Sequence, residues 1–528
     1  MKKILRGLYS GLFLFGFIML IEILALIFVQ FFMDNVIDLV WPQEETNVRL
    51  IVFLIWAAIR IVGFIASIIV FFRILNRSEA PEFKIPWLVG IFLLPLFTLM
   101  MFIIFGNHGL SFREKRVVQL SRSVYTPYLK MQRAINGDNE IDEGHALGTF
   151  HYLKEVTGLG AHSHNRVVYY KTGEDFFPAF IDAIKEAKEF IFIEFFIITD
   201  GKEWDEVKEI LIEKAKQGVE VRLVYDDLGC AGTISPRTPK KLGKYGIKCY
   251  KFHKFRLFLH GSYNNRDHRK IVIVDHKYGF TGGINLADEY ANVIERFGYW
   301  KDTMVRIEGS AISNLIMTFL QNYDLCAREP SDYNKYLDHV YETYDEPGYI
   351  CPFGDGPGGI DDALVGEQNY VNILNYAQKR IDISTPYLVP TYGLLEALRN
   401  AALRGVEVNI ILPKIPDKKI VYLVAKSHFR VLLDAGAHIY YYTPGFNHMK
   451  TCLADDKLAF VGTVNFDFRS LVHHFECGAT LYKCSCISDI RDDFDQMLSV
   501  SERVPDNFKL NRGGRFFCAI LKLFFPLL

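Results

Sequence analysis

Two segments of this 528-residue chain carry the same polar residues at the same spacing. DHRKIVIVDHKYGFTGGIN (Asp267–Asn285) and NHMKTCLADDKLAFVGTVN (Asn447–Asn465) both fit H-x-K-x4-D-x6-G-x2-N. The fixed residues are His268, Lys270, Asp275, Gly282 and Asn285 in the first and His448, Lys450, Asp455, Gly462 and Asn465 in the second. Five fixed positions arise by chance with a probability on the order of 10⁻⁴, and here they arise in both halves of a repeat. The residue types suit displacement at a phosphodiester, which needs a nucleophile, a proton donor for the leaving alkoxide and cations for the phosphoryl oxygens. One neutral imidazole attacks phosphorus and forms a phosphohistidine, while the other, protonated, hands its proton to the leaving hydroxyl. In the second step that donor, now neutral, takes a proton from the incoming hydroxyl; an unperturbed pKa near neutrality suits histidine to both roles. Lys270 and Lys450 are expected to neutralise the non-bridging oxygens, with Asn285 and Asn465 binding substrate through further hydrogen bonds. Asp275 and Asp455 are expected to hold and polarise the histidines. The scheme requires no metal and no cofactor.

Each motif needs a hairpin to deliver it. Side chains two apart on a strand share a face, so His268 projects with Lys270 and His448 with Lys450. Asp275 and Asp455 then open turns, and a second short strand returns the glycine and asparagine beside the histidine, making each half a hairpin edge. The motifs close a longer repeat. FIFIEFFIITDG (Phe190–Gly201) and KQGVEVRLVYDD (Lys216–Asp227) correspond to IDISTPYLVP (Ile381–Pro390) and LLEALRNAALRGVEVNIILP (Leu394–Pro413). Short apolar runs alternating with amphipathic helical patterns predict an α/β fold of βαβ units, with a mainly parallel sheet covered by helices. Asp226 and Asp227 read equally as substrate contacts or turn carboxylates, and Glu194 and Tyr387 as lining the site or satisfying strand ends. His473 and His474 read as local structure.

Net charge is −1, so no global basic field favours nucleic acid. Nine cysteines, an odd number without disulfide-scaffold spacing, point to a reducing compartment. Cys484 and Cys486 lack a second pair at zinc spacing. Half of the residues are hydrophobic, and the excess is concentrated in the first 106. Three apolar stretches there, about 4–32, 50–72 and 85–105, predict transmembrane helices, with Glu22 and Arg60 positioned to neutralise each other and Pro86 and Pro95 interrupting the third. Lys2, Lys3 and Arg6 favour a cytoplasmic N-terminus and a catalytic region on the cytoplasmic face. The apolar tail at 511–528 is too short to span and reads as interfacial or docked on the core.

These residues resemble the phospholipase D superfamily, whose duplicated HKD motif is the one above. Within it the chain resembles bacterial cardiolipin synthases, through APEFKIPWLVGIFLLP, RKIVIVD, GGINLADEY, YWKDT, RIEG, STPYLVP, VGTVNFDFRS and the Phe475–Glu476 pair. The resemblance implies two phospholipase D-like αβα sandwich repeats (107–345 and 346–510) forming one bilobal catalytic unit, preceded by a membrane segment (1–106). It implies a multi-pass protein of the cell membrane, acting on phosphatidylglycerol among anionic membrane lipids. The phosphatidyl group of one phosphatidylglycerol passes to the hydroxyl of another, releasing glycerol, with His268 as nucleophile and His448 as general acid and base. Lys301, Asp267, His474 and Gly358 depart from the family pattern, which bears on acceptor preference more than on reaction class.

Overall fold

The computed structural model describes residues 46–77, 81–106, 110–135, 144–253, 264–357 and 363–525. The chain divides into two compact units, one of residues 1–107, 259–261 and 519–528, the other of residues 108–258 and 262–518.

In the first unit, helices span Thr46–Leu75, Pro81–Leu93 and Pro95–Phe105. The stretch 85–105, expected as one span, is thus parts of two helices. Pro95 has no N–H to continue the preceding helix and drives Leu94 out of the α region, to φ −139°. With 13 and 11 residues, the two helices rise about 20 and 17 Å, short of a hydrocarbon core of about 30 Å. Ile74, Trp87, Ile91, Phe97, Met101 and Phe102 form their shared core, and the Arg77 guanidinium donates to the Gly106 carbonyl at 2.6 Å. Among the described residues no helix is long and apolar enough to cross a membrane; the stretch 4–32 lies outside them. The helix Thr46–Leu75 nevertheless exposes Ile61, Val62, Phe64, Ile65, Ile69 and Phe72.

The second unit is built on two large sheets. Strands β1 (Arg166–Tyr170), β2 (Phe190–Phe195), β3 (Glu220–Asp226), β4 (Lys248–Phe252), β5 (Lys270–Val274), β6 (Tyr278–Gly282) and β7 (Met304–Glu308) form the first, in the order β1-β7-β6-β5-β2-β3-β4. Strands β8 (Tyr349–Asp355), β9 (Arg380–Ser384), β10 (Glu407–Pro413), β11 (His438–Tyr442), β12 (Thr451–Ala454), β13 (Leu458–Gly462) and β14 (Glu476–Tyr482) form the second. Its order is β8-β14-β13-β12-β9-β10-β11, with His162–Ser163 and Ser501–Arg503 added at the edges. Strand for strand the two orders coincide, so the repeat is one topology built twice.

The sheets are mixed, not mainly parallel as expected. β2-β3-β4 and β9-β10-β11 are parallel, joined through the helices Lys202–Lys216 and Tyr392–Leu403. Each motif hairpin then folds straight back, which makes β5-β6 and β12-β13 antiparallel, because a tight turn permits no crossover. Nor are the hairpins at sheet edges. β5 lies between β2 and β6, and β12 between β9 and β13, which is why their residues, KIVIV and TCLA, are buried throughout and apolar after the first.

The helix Ile312–Ala327 packs between the sheets. Its Phe319 stacks on Phe192 of β2 at 4.8 Å, and its Asn314 amide donates to the Pro352 carbonyl of β8. Arg269, inside the first motif, ties three elements together by donating to the carbonyls of Glu476, Thr318 and Asp355 at 3.0, 3.0 and 2.9 Å.

Candidate active site

Both histidines stand two residues before their lysines, just ahead of the strands β5 and β12, and each is pinned by its backbone to the opposite half. The His268 N–H donates to the Phe475 carbonyl at 2.8 Å, and the His448 N–H to the Lys301 carbonyl at 2.8 Å. The residue that follows each of those carbonyls is an acid, and each acid takes the imidazole. His268 Nδ1 lies 2.8 and 3.0 Å from the two carboxylate oxygens of Glu476, 208 residues away in sequence. His448 Nδ1 lies 2.6 Å from Oδ2 of Asp302, 146 residues away. The halves are thus cross-braced: each motif imidazole is oriented by a carboxylate from the other repeat. With Nδ1 of both rings donating to a carboxylate, Nε2 is the atom left to face substrate.

The acids are themselves fixed. The Thr463 hydroxyl donates to Glu476, and the Thr303 N–H to Asp302 at 2.9 Å. The second glycine of GGIN makes room for Asp302: a Cβ on Gly283 would stand 2.0 Å from its Oδ1. The equivalent position of the second motif is Thr463, so where one repeat gives space the other gives a hydroxyl.

Lys270 Nζ donates to the His268 carbonyl at 2.5 Å and Lys450 Nζ to the His448 carbonyl. Lys450 Nζ also lies 2.7 Å from His448 Nδ1; since that nitrogen's proton goes to Asp302, the ammonium's own bond is to the carbonyl. Both lysines are wholly buried. Burial draws the Lys270 ammonium down to about 8 and that of Lys450 to about 7. Burial also pushes both imidazoles well below their ordinary value, and the nearest lysine, Lys270 for His268 and Lys450 for His448, pushes the same way. His448 acts on His268 as well, and Lys270 on His448, so the half-sites share one field. Burial pushes the Asp302 carboxyl up to about 6 against the pull of Lys450. A buried cluster of lysines and imidazoles calls for an anion.

Two of the expected roles are corrected. Asp275 and Asp455 do not orient the rings; their carboxylates are occupied at the far end of the hairpins. Asp275 accepts the N–H groups of Lys188, Glu189 and Phe190 at 2.8–2.9 Å, and Asp455 those of Gln378, Lys379 and Arg380 at 2.7–2.9 Å. Five residues beyond each lysine, a strand has already carried the aspartate out of the site, and it serves by anchoring the turn to the start of β2 or β9. Asn285 is braced on both sides, accepting from the Ile197 N–H at 3.0 Å and donating to the Tyr290 hydroxyl at 2.7 Å. Asn465 is buried with its Oδ1 free of any hydrogen bond.

Of the other residues, Asp226 is a buried turn carboxylate that accepts from the N–H groups of Leu228, Gly229 and Asp267, and Asp227 pairs with Lys251 at 2.7 Å. Glu194 lies behind the site, bonded by Asn322. The Tyr387 hydroxyl donates to Asp417 at 2.7 Å, and Lys418 lies over the Tyr387 ring at 4.5 Å. Lys418 also depresses both motif imidazoles, a third cation in their field that sequence reasoning missed. Lys301 pairs with Asp493 at 2.7 Å. Asp302 and Glu476 were missed as orienting acids, although YWKDT and the Phe475–Glu476 pair had already stood out. Their sequence distance from the histidines hid their partners.

The sequence model of the family described as cardiolipin synthase, PLD-like domain, matches residues 180–320 and 370–498, and one described as phospholipase D-nuclease N-terminal matches residues 65–107. A Streptococcus mutans protein is 40% identical over 449 residues, covering 84% of this chain and 96% of its own. Cardiolipin synthase 2 of Bacillus anthracis is 32% identical over 451 residues, covering 83% and 85%, and cardiolipin synthase of Alkalihalophilus pseudofirmus is 32% identical over 460 residues, covering 86% and 89%. Among solved structures, phosphatidylserine synthase of Haemophilus influenzae shares the fold, with a TM-score of 0.52 at 14% identity over 72% of this chain and 97% of that one. A duplicated topology, two motif histidines joined across it, and family matches spanning both repeats together establish that the chain belongs to the phospholipase D-like cardiolipin synthase family.

Proposed function

We propose that this protein is a phosphatidyltransferase that makes cardiolipin from two molecules of phosphatidylglycerol through a phosphohistidine intermediate. The observation that carries the reading is the cross-bracing: His268 on Glu476 and His448 on Asp302, with Lys270 and Lys450 beside them. His268 Nε2 attacks phosphorus, and the departing glycerol oxygen takes a proton from His448. His448, then neutral, removes the proton of the second phosphatidylglycerol's hydroxyl, which attacks the phosphohistidine and frees His268. The lysines hold the non-bridging oxygens in both steps, with Asn465 as a further hydrogen-bond donor. Asp275 and Asp455 support the motif hairpins without touching the reacting atoms. The assignment of nucleophile and acid–base follows the family resemblance.

The apolar stretches of the first 106 residues, the exposed isoleucines and phenylalanines of the helix Thr46–Leu75 and the match at 65–107 support attachment to the cell membrane, with the catalytic unit on the cytoplasmic face. The C-terminal helix Arg512–Phe524, with Phe516 and Phe517 exposed, suits a lipid surface. The test is purified full-length protein with labelled phosphatidylglycerol, with and without chelator, beside His268→Ala and His448→Ala. The expected products are cardiolipin and glycerol, unaffected by chelator and lost by about 10³-fold or more in either variant. Phosphatidic acid in their place would make the protein a hydrolase, and full activity in either variant would sink the paired mechanism.

A further inference from the structure

His474 lies beside the nucleophile and has no part in the reaction described above. It is 9% exposed, and neither ring nitrogen makes a hydrogen bond. A buried imidazole whose nitrogens make no well-formed hydrogen bond is costly unless something else uses its lone pair. Its Nδ1 is 3.4 Å from Oε1 of Glu476, and its ring centroid is 5.5 Å from that of His268. From the other side, His268 Nδ1 lies 3.0 Å from that same oxygen and 2.8 Å from Oε2. One ligand atom from each of the three residues falls within 4.8 Å of the other two.

Two imidazoles and a carboxylate are the donor set of Zn²⁺ and its neighbours rather than of Mg²⁺ or Ca²⁺. Bonds of about 2.0–2.1 Å place two ligands of one such ion about 3.3 Å apart. The two edges to Glu476 are near that length already, so the nitrogen–nitrogen edge is the one that closes.

We infer that His268, His474 and Glu476 form an inhibitory site for a zinc-class divalent cation, which switches off the nucleophile by occupying its inner nitrogen. The inference rests on the reading of His268 as nucleophile. In the working enzyme the His268 proton sits on Nδ1, shared with Glu476, and the Nε2 lone pair faces phosphorus. An ion bound at Nδ1 reverses the tautomer. The ring proton moves to Nε2, none is lost, and the lone pair that attacks is gone. The ion also takes the carboxylate that would stabilise the charged ring.

The test uses full-length, detergent-solubilised protein stripped with chelator and titrated with Co²⁺ as a spectroscopic probe, then with Zn²⁺ in competition. The expected result is one Co²⁺ per chain with the visible absorption of a nitrogen–oxygen site, displaced by Zn²⁺. His474→Asn is expected to weaken binding by about 10- to 100-fold, and Mg²⁺ not to compete. In parallel, Zn²⁺ is expected to inhibit the parent, with relief by chelator, and the variant to need about 10- to 100-fold more for the same fractional inhibition. Should His474→Asn fail to fold, Glu476→Gln, read by binding alone, serves the same purpose. Absence of the Co²⁺ absorption, or unchanged binding in the variant, would overturn the site. Because binding is read without turnover, a chain that binds the ion yet makes no cardiolipin would count against the proposed reaction and not against this site.

Discussion

At the scale of single residues, the site depends on which atom of each imidazole is left free. Glu476 and Asp302 take Nδ1, so Glu476→Gln and Asp302→Asn are expected to keep the fold and lose about 10²- to 10⁴-fold in turnover, by analogy with the carboxylate behind a catalytic histidine. Steady-state kinetics beside thermal melting separates the two effects, and turnover close to the parent's would mean that the bonds orient nothing. Protonation is the other expectation at this scale. Burial and the lysines keep both free imidazoles neutral at pH 7, yet leaving-group protonation needs one imidazolium. The phosphodiester anion offsets the lysine field, so binding is expected to take up about one proton. Calorimetry of a phosphodiester headgroup in buffers of different ionisation enthalpy measures that uptake directly; zero uptake would remove His448 as the donor. The lysines set the opposite limb. With Lys450 near 7 and Lys270 near 8, their charge is lost as pH rises through those values, and headgroup affinity is expected to fall as pH rises from about 7.

At the scale of elements, the motif is a hairpin with chemistry at one end and an anchor at the other. Asp455, at φ +50°, gathers three backbone N–H groups that no other side chain replaces. Asp455→Ala is therefore expected to cost about 2–3 kcal/mol in urea unfolding while folded molecules keep turnover within about tenfold. A variant with the parent's stability but no turnover would return the aspartate to the chemistry. Gly282 is required by close approach, since a Cβ there would stand 2.4 Å from the Thr303 carbonyl oxygen. Gly282→Ala is expected to destabilise by about 1–3 kcal/mol, because β6 and β7 cannot part without moving Asp302; a variant that melts with the parent would show that the strands have slack.

At the scale of the whole molecule, neither repeat is a complete enzyme. Each contributes a histidine, a lysine and the acid that serves the other's histidine. Mixing purified His268→Ala with His448→Ala is thus expected to yield no more than the sum of their separate activities; recovery toward the parent's rate would mean that a site can be assembled between chains. The sequence by itself determined a good deal. Periodicity and the repeat gave the α/β class, and two identically spaced motifs named His268, Lys270, His448 and Lys450, because fixed spacing along a strand fixes which side chains share a face. Local pattern also marked the apolar N-terminal segment. It did not reveal the mixed sheets, since parallel and antiparallel neighbours leave the same apolar run in a buried strand. Nor did it assign the carboxylates. Asp275 and Asp455 have the right spacing but are carried out of the site by a strand, whereas Glu476 and Asp302 arrive from 208 and 146 residues away. Pairings between distant segments are set by how the two repeats pack, and local spacing carries no record of them.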